Sequence, residues 1–427
     1  NMTPPDGFNI FHYNNTEVDE VLRRGMQESN ATKKKNDIWR FQEIFMHDPQ
    51  WANVYNPRIF EVTASYIEGY SPQGCWWYDI THLTINETKF NEVCVSADRR
   101  AIGPNTVIYA VSEDVWSLLP IYMDSYTEEQ MSTPQFDCLY RWSIKPDKWQ
   151  YYMHGEEVNH TDWYIAPNLA VADPIIDPLG VNDKKRARVV LRSGVEWSDG
   201  TPLTARDVEF TFNSTALNIA AQTTGYGDYI LQLKDVEYVN ETAVDFILQY
   251  EVPLVDLKSC LANDWGGGTI MPFHILGKYM DNPGQMKHDK SNTDFANPSS
   301  WLPVTGPYKM SYIDTMNYIE YTNNTNSFYW TEGWGPYNID TIILKWVPNA
   351  EVRLLEIRSN DVDFGEYPTG SVATMEDLAD QPNLNVFQYD YPATNAIWFN
   401  LDHAVISNRY VRQAIAHCVN YAAHISG

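Results

Sequence analysis

Apolar positions along this chain follow two rhythms, and the switches between them mark the elements. Over residues 16–29, Val18, Val21, Leu22 and Met26 recur at helical spacing behind a Thr16 and Asp19 capping pair, which predicts an amphipathic helix. Ile38, Phe41, Ile44 and Phe45 repeat the pattern over 34–46, and Asp48-Pro49 ends it. The rhythm then shortens to strand-like pieces around 59–66. Residues 82–104 are polar and read as a connector, after which the chain starts again with a strand over 107–111. Residues 126–142 predict a helix ending in Tyr140-Arg141-Trp142.

The stretch 186–215 is the most legible. Val189, Val190 and Leu191 lie in a strand over 186–192, and Ser198-Asp199-Gly200-Thr201 forms a turn in which Gly200 takes a positive φ. Thr204 and Asp207 make a capping box that opens a helix carrying Val208, Phe210 and Phe212. Residues 235–239 and 243–248 alternate around Asn240-Glu241 as a hairpin. Further strands follow from 308, over 318–321 and over 339–346, then a helix over 350–358. Ser359-Asn360-Asp361 turns the chain into Val362-Asp363-Phe364. An amphipathic helix over 408–425 carries Val411, Ile415, Cys418, Val419 and Ala422 on one side. Strands alternate with helices and hairpins are mixed in, which predicts a mixed α/β fold rather than a barrel of βα units.

At 427 residues the chain has room for two or three cores. Its formal charge of −26 argues against partners that present phosphate. The dense basic runs, Lys33–Lys35 and Lys184–Arg188, read as solvated faces, so neither nucleic acid nor an anionic membrane surface is expected as a partner. Apolar runs fall far short of a membrane span, and no secretory leader opens the sequence, so residue 1 reads as the edge of a processed or excised piece. The five cysteines (Cys75, Cys94, Cys138, Cys260 and Cys418) contain no Cys-x-x-Cys. One or two disulfides, with Cys75 and Cys94 nearest in sequence, and buried free thiols stand as alternatives.

Asn-x-Thr occurs at Asn1, Asn14, Asn30, Asn86, Asn159, Asn213, Asn240 and Asn323. Composition alone gives about 2.3 such triplets by chance. The excess predicts glycosylation at these eight positions, and a secreted or cell-surface chain.

Enzyme motifs are absent. There is no Gly-x-Ser-x-Gly elbow, no His-Glu-x-x-His and no phosphate loop. His154 and His160 flank Glu156 and Glu157 at a spacing that does not suit a zinc helix. Asp361 and Asp363 flank a turn for which calcium is a weaker reading. We therefore expect no catalytic residue, no metal and no cofactor.

Four blocks carry a family resemblance: RARVVLRSGVEWSDGTPLTARDVEFTF (186–212), TGPYKM with NSFYW (305–310 and 326–330), IDTIILKWVPNAEVRLLEIRSNDVDF (339–364) and NRYVRQAIAHCVNYAAHI (408–425). In this order and spacing they resemble the extracytoplasmic solute-binding proteins of family 5, the dipeptide, oligopeptide and nickel receptors of ABC importers. The resemblance covers roughly residues 95–427. The segment NNTEVDEVLRRGMQESNATKKKNDIWRFQEIFMHDPQWANVYNP (14–57) resembles the family's C-terminal block, yet here it comes first. That order suits a window on a tandem chain or a permuted module.

The resemblance implies a two-lobed periplasmic-binding-protein-like fold with an extra subdomain and an incomplete or permuted second lobe. Residues 1–86 would be the C-terminal-type block, 87–104 a connector, 105–350 lobe I with the subdomain, and 351–427 the crossover and the beginning of lobe II. It further implies capture of a peptide or similar small polar solute between the lobes, without catalysis, for delivery to an ABC permease. The ligand-facing candidates are Glu113, Asp114, Trp142, Tyr226, Tyr229, Thr394, Asn395 and Trp398, whereas Asp199 and Gly200 read as structural. The alternative function is a structural cell-surface glycoprotein, a layer or filament subunit that reuses the receptor fold and assembles head to tail with neighbouring copies. The sequons, the acidity and the block order are also compatible with an archaeal source.

Overall fold

In the computed structural model the described residues are 11–28, 30–55, 58–70, 83–113, 115, 117–122, 125–144, 163–216, 233–262, 268–288, 301–332, 339–366, 372–390 and 394–419. Helix α1 (Thr16–Gln27) begins one residue earlier than the Thr16 cap expected, because the Asn15 side chain accepts from the N–H groups of Glu17 and Val18. Asn30 caps α2 (Ala31–His47) in the same way. The two helices form a hairpin around Val18, Val21 and Ile44, tied by the Arg40–Glu17 and Arg24–Asp37 pairs.

After them come strands β1 (Trp51–Tyr55), β2 (Arg58–Ala64), β3 (Ile67–Glu68) and β4 (Thr84–Ile85). The expected connector is folded instead. It forms α3 (Glu87–Val93), capped by Asn86, and α4 (Ala97–Ile102), capped by Ser96. Its polar composition concealed this because the buried side of α4 is an arginine, Arg99. Strand β5 (Thr106–Val111) is buried at every position, as a strand covered on both faces must be. The helix expected over 126–142 splits into α5 (Tyr126–Ser132) and strand β6 (Tyr140–Ile144), which pairs with β7 (Trp163–Pro167).

Strands β8 (Ile175–Ile176) and β9 (Arg186–Val190) precede helix α6 (Ala205–Phe210), whose expected capping box is present, with the Asp207 carboxylate 2.7 Å from the Thr204 N–H. Gly200 has φ +84° in the turn before it, and Asp199 accepts from the Thr201 N–H. The hairpin β10 (Leu233–Asn240) and β11 (Ala243–Leu248) joins β9 and β8 in a four-stranded antiparallel sheet, followed by α7 (Leu254–Leu261) and α8 (Phe273–Leu276). A core of Trp197, Phe212, Phe246 and Leu257 fills this unit. The basic run beside it is not a free solvated face. Arg186 and Arg188 both reach Asp245 across the sheet, and Arg186 also pairs with Glu237.

The chain continues through β12 (Tyr308–Asp314), β13 (Tyr318–Asn323), α9 (Phe328–Glu332), β14 (Thr341–Trp346), α10 (Ala350–Arg358), β15 (Phe364–Gly365), α11 (Val372–Ala379), β16 (Leu384–Asp390), β17 (Asn395–Trp398) and α12 (Arg409–His417). Seven strands form one sheet in the order β12-β13-β14-β5-β15-β2-β16. Within it β14, β5 and β15 are parallel, and β2 lies antiparallel between β15 and β16. Residues from the N-terminal block thus sit inside the sheet of the later blocks. One face carries Tyr109, Val111, Leu344 and Phe364, and the other packs Val62, Ile108, Ala110 and Val386 against Ile357 of α10 and Met375 and Leu378 of α11.

A buried charge network fixes this sheet. The Arg99 and Asp363 side chains are fully buried, joined by Nε–Oδ1 and N–Oδ2 contacts of 2.9 and 3.0 Å. The remaining lone pairs of Asp363 accept from the Tyr66 hydroxyl at 2.6 Å and the Ile108 N–H at 2.7 Å. Arg99 spends its other donors on the carbonyls of Gly103 and Thr106 and lies over the Phe90 ring. Asp363 is therefore a counter-ion to arginine, not a calcium ligand. Asp137 forms a second hub, accepting from Tyr329, Asn168 and Thr305 at 2.7–2.8 Å. Burial pushes the Asp137 carboxyl above its ordinary range, against these hydrogen bonds and the charge of Arg141. Cys94, Cys138 and Cys260 are buried free thiols, and Cys418 is an exposed one.

Two outcomes follow. Arg99→Met leaves a buried carboxylate without its counter-ion and should cost about 3–5 kcal/mol in urea unfolding, with Asp363→Asn in the same direction. Because folding raises the Asp137 pKa, the folded chain holds its proton where the unfolded chain has released it. Stability should therefore fall as pH rises from about 4 through the raised value, and Asp137→Asn should flatten that part of the pH profile.

Candidate functional site

Strand directions place the candidate residues. Strands β5 and β15 are parallel, with Phe364 opposite Tyr109 and Gly365 opposite Ala110, so their carboxyl ends share one edge. Strand β2 begins at that edge and β16 ends there, since Arg58 is opposite Asp390. From this edge the chain crosses twice, before β2 and after β16, to a separate two-stranded ribbon of β1 and β17. In open α/β sheets the crevice outside the carboxyl ends of the strands is where ligands bind.

On the sheet side of this edge, the exposed Glu113 follows β5, and its N–H donates to the Thr127 hydroxyl at 3.3 Å. Beside it Glu366, only 1% exposed, accepts from the Ser112 N–H at 2.7 Å. Burial raises the Glu366 pKa, opposed by the bond from Ser112 and the charge of Arg353. Sequence reading passed over Glu366 because a single acidic residue after a two-residue strand gives no pattern.

On the ribbon side, Trp398 is opposite Trp51, and Asn395 is opposite Tyr55. Phe11 touches both indoles, with ring centroids 5.6 Å from Trp51 and 5.5 Å from Trp398. Trp398 nevertheless stays 62% exposed. The Thr394 hydroxyl is 3.4 Å from the Tyr55 carbonyl, and both Thr394 and Asn395 are exposed. The ribbon is held from below by Arg412 on α12. This arginine is 2% exposed and donates to the carbonyls of Pro49, Ile406 and Ser407 while pairing with Asp48.

Glu113, Thr394, Asn395 and Trp398 therefore belong to the two bodies joined by the crossings. Trp142 does not share their setting. It lies on β6 opposite Ile165 and packs against the core of the four-stranded unit. Asp114, Tyr226 and Tyr229 lie outside the described residues, as do His154 and His160. Trp51 and Phe11 beside Trp398, and Tyr55 opposite Asn395, escaped the sequence reading because contacts between residues so far apart in the chain leave no local trace.

A concavity of about 320 Å³ lies where the helical hairpin meets the four-stranded unit. Val21, Leu22, Met26, Ile38 and Phe41 line it from α1 and α2, and Tyr250 and Val252 from the loop after β11. Lys34 closes one side through a 2.7 Å pair with Asp256. Lys34 is thus engaged, whereas the run Lys33–Lys35 read as a wholly solvated face.

Of the sequon asparagines, Asn14, Asn30 and Asn240 are exposed, and Asn86, Asn213 and Asn323 are half-buried. Asn86 donates to Glu68 at 2.8 Å, and Asn323 to Asp340 at 3.4 Å. Asn1 and Asn159 lie outside the described residues.

Several known proteins are similar to this chain. The oligopeptide-binding protein AppA of Bacillus subtilis is 25% identical, over 78% of this chain and 52% of its own length. Protein XP55 of Streptomyces lividans is 26% identical over 62% of this chain and 43% of its own, and the dipeptide-binding protein of Escherichia coli 28% over 57% and 44%. The chain thus spans about half the length of the curated relatives it matches. Among solved structures, AppA in complex with a nonapeptide covers 65% of this chain and 46% of its own, with 21% identity and a TM-score of 0.49. HbpA2 from Haemophilus parasuis covers 64% and 49%, with 20% identity and a TM-score of 0.47. The model of the bacterial extracellular solute-binding proteins, family 5 middle region, matches residues 179–426, well over half of the chain, and the chain belongs to that family.

Proposed function

We propose that the chain is a solute receptor that captures a peptide, or a similar small polar solute, between the sheet and the ribbon and passes it to an ABC permease outside the cytoplasm. The observation that carries this reading is the double crossing at the carboxyl edge of β5 and β15, with Trp398 left largely exposed beside it. Closure of the sheet and the ribbon on solute would be a population shift toward whichever form binds better. Trp398 offers a flat apolar surface, Glu113 an acceptor for an amino group, and Thr394 and Asn395 polar groups for a peptide backbone. Each is a binding role that makes and breaks no covalent bond. The names of the relatives, an oligopeptide-binding and a dipeptide-binding protein, support peptides as the solute class. Among the described residues no helix is long and apolar enough to cross a membrane. The Lys34–Asp256 pair ties the helical hairpin to α7 of the four-stranded unit.

Native mass spectrometry of the protein as isolated should show a small mass that is lost on denaturation, and calorimetry with short peptides should return its affinity. Trp398→Ala should weaken that affinity about tenfold, some 1.4 kcal/mol. Trp142→Ala should instead lower stability by about 3 kcal/mol and leave the affinity of the folded fraction unchanged. Absence of any bound solute, or equal affinity with and without the Trp398 ring, defeats the reading.

A further inference from the structure

The eight Asn-x-Thr motifs are not equivalent once folded, and the receptor reading makes no use of them. We propose that Asn240 and Asn30 are glycan acceptors, and that Asn213, in the same motif, is a fixed structural amide that takes none. The inference shares with the receptor reading only a location outside the cytoplasm.

Glycosyl transfer to asparagine joins Nδ2 to the anomeric carbon of a pyrophosphate-activated sugar. The C–O bond to the pyrophosphate breaks, the carrier leaves with its electron pair, and Nδ2 gives up one proton. The acceptor therefore needs an accessible, uncommitted Nδ2. Asn240 meets this at the tip of the hairpin between β10 and β11. Its Oδ1 accepts from both the N–H and the hydroxyl of Thr242, at 3.0 and 3.2 Å, so the three residues of the motif are held together. Its Nδ2 has no partner among the described residues, and the residue is exposed. Asn30 is similar. Its Oδ1 accepts from the N–H groups of Thr32 and Lys33 at 3.1 Å each, which caps α2 and leaves Nδ2 exposed.

Asn213 is different. Its Nδ2 donates to the Val236 carbonyl at 2.6 Å, and its Oδ1 accepts from the Val236 N–H at 2.9 Å. The side chain thus pairs with the outer edge of β10 as another strand would, which covers an otherwise open edge. This two-point pairing uses the Nδ2 hydrogen on the same side as Oδ1. A glycosylated asparagine is a secondary amide, and its trans geometry places the sugar carbon on that same side. A glycan on Asn213 and the bond to Val236 therefore exclude each other.

Site-resolved glycopeptide mass spectrometry of the protein from its native host decides the matter. Sugar mass is expected on the peptides bearing Asn240 and Asn30, and none on the peptide bearing Asn213. An unmodified Asn240 or Asn30, or sugar on Asn213, overturns the proposal. Thr242→Ala should remove the Asn240 glycan completely without moving Tm. Asn213→Gln should lower Tm with no change in glycan mass. If that variant does not fold, Thr215→Ala destroys the motif while retaining the Asn213 amide, and should leave the glycan mass unchanged. Peptide affinity of the same preparation, measured separately, keeps this result independent of the receptor reading.

Discussion

The Arg99–Asp363 pair is the constraint on which the rest of the chain depends. It joins three segments distant in sequence: Tyr66 from the N-terminal block, Arg99 from α4, and Asp363 from the turn into β15. A fully buried ion pair is tolerable only when every donor and acceptor has a partner. Here the arginine reaches two carbonyls besides the carboxylate, and the carboxylate accepts from a phenol and a backbone N–H as well. The Ile108 bond sets the position of β5 relative to β15, and those two strands define the edge at which Glu113 emerges. The charge pair thus specifies alignment. A hydrophobic replacement of similar volume would fill the space without defining the register.

The same device recurs. Arg412 gathers the carbonyls of Pro49, Ile406 and Ser407 under the ribbon, and Arg353 those of Val347, Pro348 and Glu366 at the sheet edge. In each case a planar donor fork binds loop carbonyls that no helix or sheet would satisfy. Buried arginines of this kind stand on both sides of the two crossings. The sheet edge and the ribbon are thus each tied by such an arginine, which supports the proposed closure between them.

The N-terminal block clarifies what a family resemblance can and cannot say. By its sequence resemblance it was expected to be a C-terminal-type segment met early in the chain. In the fold, β2 lies between β15 and β16, and β1 pairs with β17, so the block is inside the same bodies as the later chain. Sheet hydrogen bonds depend on neighbours in space, and chain order is invisible to them.

Local periodicity was enough for most elements. The capping box of Thr204 and Asp207, the hairpin around Asn240 and the helix over α10 are written in a few consecutive residues, and the structure carries them as read. The solute-binding family was legible too, because its blocks are strings of local signals in a fixed order. What sequence could not supply depends on distant partners. Helix α4 can bury an arginine because Arg99 finds Asp363 264 positions away, and the candidate Trp398 gains its aromatic neighbours only when β17 meets β1. The three-residue motif at Asn213 looks like the one at Asn240, and only the strand edge beside it reveals that its amide is already committed. Local propensity is settled by the residues that share a turn or a strand. Burial, ion pairing and exposure are settled by whatever the folded chain brings alongside, and only the tertiary structure decides those.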